Sequence, residues 1–115
     1  MSNSTNFEAV TERIQQFCKD RDWSQFHDPK NLAISLQLEA SEVLELFQWT
    51  KDNLVKPDKE NQVADELADV LYWVIMLSNH YKIDLIRALN SKMDKNELKY
   101  PVEKARGISA KYTDL

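Results

Sequence analysis

At 115 residues, with 43% hydrophobic and 30% charged side chains, the chain has room for one soluble domain, residues 1–115, with a modest core. One Gly and three Pro exclude a turn-rich β fold and any Gly-rich phosphate-cradling loop, so bound phosphates would have to be met by metal ions and basic side chains. A net charge of −4 argues against a nucleic-acid partner, and the lone Cys18 excludes an intrachain disulfide or a cysteine metal site. With no signal-peptide pattern and no apolar run of membrane-spanning length, the chain reads as cytoplasmic and without a membrane partner.

Taken in order, Met1 to Ser4 reads as a loose start, followed by a capping box, Thr5-x-x-Glu8. A first helix should run to near Asp22 with Phe7, Val10, Ile14 and Phe17 as its apolar stripe and Cys18 as a small apolar residue. Trp23, Gln25, Phe26 and His27 belong to a connector in which Trp23 and Phe26 either plug the end of a helical bundle or touch a ligand. His27 could cap, pack or meet an anion. Asp28-Pro29 is a helix start, N-cap then first turn, and predicts a second helix to about Trp49. After a turn, Asp58 can cap a third helix running to about Tyr81. Leu67 to Leu77 is apolar apart from Asp69, and a helix apolar all round must be covered all round, which predicts a homodimer or a larger assembly such as a tetramer. Asp84 should cap a fourth helix with Leu85, Ile86, Leu89 and Met93 facing inward, ending at Tyr100-Pro101. Residues 101–115 then form a polar C-terminal arm. The expected architecture is all-α: a four-helix bundle completed by homo-oligomerisation.

Two acid pairs stand out, Glu39-x-x-Glu42 and Glu66-x-x-Asp69, each on one face of its helix. Positions 42 and 66 are equidistant from residue 54, and so are 39 and 69, so an antiparallel hairpin should set Glu42 level with Glu66 and Glu39 level with Asp69. No Lys or Arg occurs between residues 31 and 50 or between 60 and 81, so the four carboxylates lack the opposite charges that a solvated helix face carries. Converging like charges need a cation. Oxygen donors without His or Cys suit Mg²⁺ or Mn²⁺; a di-iron site would need Glu-x-x-His pairs, but position 45 is Glu and position 72 is Tyr. Mg²⁺ keeps open positions for substrate phosphates, which makes a phosphoric anhydride the natural substrate, with Glu42 or Glu45 as general base. Trp49 and Trp73, near opposite ends of the acid stripe, are either core residues or stacking platforms for a base. Lys92 and Lys99 on the fourth helix could reach phosphates. Lys51, Lys56, Lys59 and Lys82 read as solvated helix ends.

The acid pattern resembles the signature of the MazG-like, all-α nucleoside triphosphate pyrophosphohydrolases. Trp23 to Leu32, Glu45 to Trp49, Ser91 to Asn96, Tyr100-Pro101 and Lys111 to Leu115 are similar to their dCTP pyrophosphatase branch. The resemblance implies Mg²⁺-dependent cleavage of a (d)NTP into monophosphate and pyrophosphate, in the service of cleansing the nucleotide pool, by a dimer or tetramer. It further implies that Glu39, Glu42, Glu66 and Asp69 hold the metal, that Trp23 to His27 contact the base, that Trp49 lines the nucleotide pocket, and that Lys92, Asn96 and Tyr100 lie near phosphates or sugar. Where close relatives often carry Tyr four residues after the last acid, this chain has Trp73. The competing reading of the same residues is a non-catalytic helical module that binds nucleotide or a partner and keeps the acids as a structural metal site.

Overall fold

The computed structural model describes residues 6–115; the expected loose start and Thr5 lie outside the described residues. Five α-helices form, with three short 3-10 turns and no strand among the described residues. The chain divides into two compact units, one ending at Lys82 and one running from Ile83 to Leu115.

In the first unit, Asn6 caps α1 (Phe7–Asp20): its side-chain oxygen accepts the amides of Glu8 at 2.8 Å and Ala9 at 3.3 Å. The helix stops at Asp20, two residues before the expected end. Asp22 then takes a left-handed φ of 54°, a conformation Asp tolerates, and the Trp23 amide turns back to the Cys18 carbonyl at 3.0 Å. Gln25 fastens this reversal by donating to the Asp22 carbonyl and carboxylate, both at 3.0 Å.

Helix α2 (Pro29–Glu45) starts as expected, with Asp28 accepting the Asn31 amide at 2.9 Å. That hydrogen bond, more than any other contact, holds the Asp28 carboxyl below its usual range. The helix ends at Glu45 rather than near Trp49. The amides of Leu46, Phe47 and Gln48 bond only three residues back, at 3.2, 3.0 and 3.1 Å, which tightens the last turn. Trp49 then reverses the chain with a φ of 69°, a region that costs a bulky residue ~1–2 kcal/mol. The connection closes when the Lys56 amide bonds to the Leu46 carbonyl at 3.0 Å. Asp58 does not cap the third helix. Pro57 opens a 3-10 turn, Pro57–Gln62, and α3 (Val63–His80) begins only after it, without a side-chain cap.

Helices α2 and α3 form the most extensive helix pairing. Cys18, only 3% exposed, joins Leu32 and Met76 in a small core against which Ile14, Tyr72, Trp73 and Leu77 pack. Its Sγ lies 3.1 Å from the Tyr72 hydroxyl, so the expected small apolar residue ties α1 to α3. Leu67 and Leu71 on α3, and Ile34 and Leu38 on α2, stay exposed in this chain.

In the second unit, Asp84 caps α4 (Leu85–Lys99) through the Arg87 amide at 3.1 Å, and the helix ends before Tyr100-Pro101 as expected. The arm holds a one-turn α5 (Val102–Ala105) and returns to the end of α4, with Tyr100 and Tyr112 edge to face at 6.0 Å and the Lys99 ammonium 4.7 Å from the Tyr112 ring centre. Of the four residues expected to face inward, Leu85 is half-buried, while Ile86, Leu89 and Met93 are exposed in the single chain, because one helix and a short arm offer too little apolar surface to cover the stripe. No helix among the described residues is long and apolar enough to cross a membrane.

Candidate active site

Ligand oxygens of Glu39, Glu42, Glu66 and Asp69 all lie within 4.8 Å of one another. The levels match the expected pairing. Glu39 and Asp69 border one depression, while Glu42 and Glu66 border another. That arrangement requires α2 and α3 to run antiparallel, with each acid pair projecting from the shared face of its helix.

Four carboxylates at this spacing repel one another. The Glu39 carboxyl is pushed up to about 7, first by a hydrogen bond to Glu42, then by burial and by the charges of Glu42 and Asp69; the Trp73 indole acts in the opposite direction. For Glu66 burial is instead the main cause that raises the carboxyl, followed by the charges of Glu42 and Asp69. One buried oxygen on each, Oε2 of Glu39 and Oε2 of Glu66, has no hydrogen-bond partner. A buried acceptor without a donor is costly, and a bound cation is one partner that can satisfy such oxygens. The chemistry of the donor set, oxygen only, fits a hard divalent ion.

The first depression is an open cavity of ≈ 480 Å³. Helix α1 supplies Val10, Arg13, Ile14 and Phe17 to its wall, and Trp23 comes from the connector. Tyr72 and Trp73 of α3 complete it beside Glu39 and Asp69. The rings brace one another edge to face: Phe17 on Trp23 at 5.5 Å, Tyr72 on Trp73 at 4.9 Å, His27 on Trp73 at 5.8 Å. This is an aromatic slot with acids at one border, the composition expected of a site for a planar, partly apolar group.

Residues 34–115 match the MazG-like family. The chain belongs to the MazG-like family. Over 119 aligned residues it is 43% identical to dCTP pyrophosphatase 1 of Rattus norvegicus and 41% identical to that of Homo sapiens, spanning 99% of this chain and 70% of each relative. A pyrophosphatase from Archaeoglobus fulgidus has the same fold, with a TM-score of 0.75 and 36% identity over 88% of this chain and 97% of that one.

The MazG-like fold brings together some of the expected site residues and separates others. The four acids, Trp23 and Trp73 gather as described. His27 is half-buried, with Nδ1 lacking a hydrogen-bond partner and its ring against Trp73. Gln25 and Phe26 are exposed on the connector, and neither borders the cavity. Trp49, expected one helical step beyond Glu42, leaves the acid face because α2 ends before it; it is 86% exposed. Glu45 borders the second depression beside Glu42. Lys92, Asn96 and Tyr100 belong to the second unit, where Lys92 is exposed and Asn96 half-buried.

Sequence reasoning missed three basic residues. Arg13 sits inside the apolar stripe of α1, and its three-residue offset from Val10 was the signal that it shares that face. Lys56 and Lys59 are not solvated ends. Both are half-buried and border the second depression, while Lys51 and Lys82 are exposed as expected.

Proposed function

We propose that this MazG-like protein hydrolyses a nucleoside triphosphate to the monophosphate and pyrophosphate, with dCTP or a base-modified relative as the favoured substrate and nucleotide-pool cleansing as its role. The observation that carries this reading is the convergence of four carboxylates within 4.8 Å at the border of an aromatic cavity. The names of the relatives, dCTP pyrophosphatase 1, support the same chemistry.

Glu39, Glu42, Glu66 and Asp69 are assigned as ligands of Mg²⁺, with Mn²⁺ as a substitute; the two partnerless buried oxygens and the all-oxygen donor set support this. Such an ion supplies polarisation of the phosphoric anhydride and a lowered pKa for water. The remaining roles fall to side chains. Trp23 and Trp73 take the base between their rings, and His27 buttresses Trp73. Gln25 and Phe26 hold the connector edge of that site, and Trp49 contacts the nucleotide from the turn after α2. Glu42 or Glu45 accepts the proton of the attacking water as the linkage between the α- and β-phosphates opens. Lys92, Asn96 and Tyr100 contact phosphate or sugar, a role that rests on the family resemblance. The protein is further proposed to act in the cytoplasm, as a homodimer or tetramer that covers Leu67 and Leu71, without a nucleic-acid or membrane partner and with its whole length serving one catalytic domain.

The test is product analysis. Incubation with dCTP and Mg²⁺ should release dCMP and pyrophosphate in equal amounts. Failure to release pyrophosphate from any canonical or C5-modified nucleotide would refute the proposal.

A further inference from the structure

The second depression, ≈ 260 Å³, is bordered by Glu42, Glu45 and Glu66 on one hand and by Lys56, Lys59 and Gln62 on the other. Its lysines are set there by the backbone. The Lys56 amide is tied to Leu46 at 3.0 Å and the Lys59 amide to the Lys56 carbonyl at 2.8 Å, across the start of the 3-10 turn. Lys56 is the residue just before that turn and Lys59 lies within it, and both border the same depression. Both are half-buried, unlike Lys51 and Lys82.

The acid quartet is the common border of the two depressions, because Glu39 and Asp69 line the aromatic one and Glu42 and Glu66 the lysine one. The two levels are three residues apart, about 4.5 Å along a helix axis. A ligand whose apolar end fills the aromatic cavity must therefore carry its far end past the quartet to the lysines. We propose that Lys56 and Lys59 hold the β- and γ-phosphates, which fixes the direction of the triphosphate along the hairpin: base at the Glu39–Asp69 level, pyrophosphate end at the Glu42–Glu66 level. This inference rests on the pyrophosphohydrolase reading. Ammonium groups suit it as point charges for phosphate oxygens, and their positive charge offsets the acids that face the same anion. The rival role, neutralising Glu42, Glu45 and Glu66 and nothing more, makes a different prediction.

The two are separated by calorimetric titration of wild type, the pair Lys56→Gln/Lys59→Gln and the pair Lys56→Arg/Lys59→Arg. The probes are inorganic pyrophosphate with Mg²⁺, dCMP with Mg²⁺, and Mn²⁺ alone. The Gln pair should bind pyrophosphate about tenfold or more weakly, the scale of losing charge-assisted hydrogen bonds, with dCMP affinity unchanged. The Arg pair should regain most of the pyrophosphate affinity. Should the Gln pair lose its helical circular dichroism, the single variants carry the same comparison at about half the logarithmic effect. Unchanged pyrophosphate affinity together with tighter Mn²⁺ binding overturns the proposal in favour of neutralisation. An equal loss for dCMP and pyrophosphate overturns the direction. If wild type still splits dCTP while either of these results holds, only this inference falls; if wild type hydrolyses no nucleotide, both readings fall.

Discussion

The two depressions that meet at the four carboxylates are opposite in character. The cavity at the Glu39–Asp69 level is walled by rings and aliphatic groups from three elements, and among the described residues Arg13 is the one basic group on its border. The hollow at the Glu42–Glu66 level is polar, built from the end of α2, the 3-10 turn and the first turn of α3, with three acids and two lysines on its border. The contrast matches the two chemical halves of the nucleotide proposed as substrate. A base gains from stacking and from exclusion of water, and phosphates gain from charge. Under the proposed function, the cost of the acid cluster is offset when a cation and the anionic nucleotide bind between the two halves.

The largest expected effect comes from breaking the border that both halves share. Glu42→Gln or Asp69→Asn should lower the rate of dCTP hydrolysis by at least about 10²-fold, the upper end of what outer-shell substitutions cost metal enzymes. Circular dichroism should be unchanged, because removing one of four repelling carboxylates costs the fold nothing. Parallel loss of helicity would favour a structural metal site instead. The next effect is confined to the aromatic side. Trp73→Leu removes a stacking face worth roughly 1–3 kcal/mol, so dCTP and dCMP should bind roughly 5- to 150-fold more weakly while pyrophosphate binding stays as in wild type. If pyrophosphate weakened equally, the division between the halves would be wrong.

A smaller effect is read from pH without any ligand. Folded Glu39 and Glu66 hold their protons more tightly than the ordinary value of 4.5, Glu39 up to about 7. The folded state therefore binds more protons than the unfolded state over that window, and stability must fall as pH rises through it. Asp28, whose carboxyl is lowered, acts with the opposite sign only below its ordinary value of 3.8. In EDTA, the melting temperature should be higher at pH 5.5 than at pH 7.5, and Glu39→Gln should flatten the difference. A melting temperature that instead rises over this interval would mean that the quartet does not repel as described.

The acid hairpin was legible because a helix repeats regularly: counting outward from residue 54 paired Glu39 with Asp69 and Glu42 with Glu66, as the structure has them. Asp28 and Asp84 were legible as caps for the same local reason. The end of α2 was not. No Gly or Pro marks it, and the reversal is made by Trp49 in a backbone region that bulky residues avoid, so propensity pointed past it. Lys56 and Lys59 were misread because closeness to a turn in sequence suggests solvent, whereas the Lys56–Leu46 hydrogen bond folds that segment back onto α2. The exposed Ile86, Leu89 and Met93 reflect another limit, since an apolar stripe states that a cover is needed and not what supplies it.

The central claim is that Glu39, Glu42, Glu66 and Asp69 together hold a divalent cation between a base-binding half and a phosphate-binding half. Titration of the nucleotide-free protein with Mn²⁺, followed by electron paramagnetic resonance, tests it without recourse to turnover. Wild type should bind Mn²⁺ saturably and Mg²⁺ should compete for it, whereas Glu66→Gln should bind at least about tenfold more weakly with its helicity intact. Equal Mn²⁺ binding by wild type and Glu66→Gln, or none by either, would contradict it.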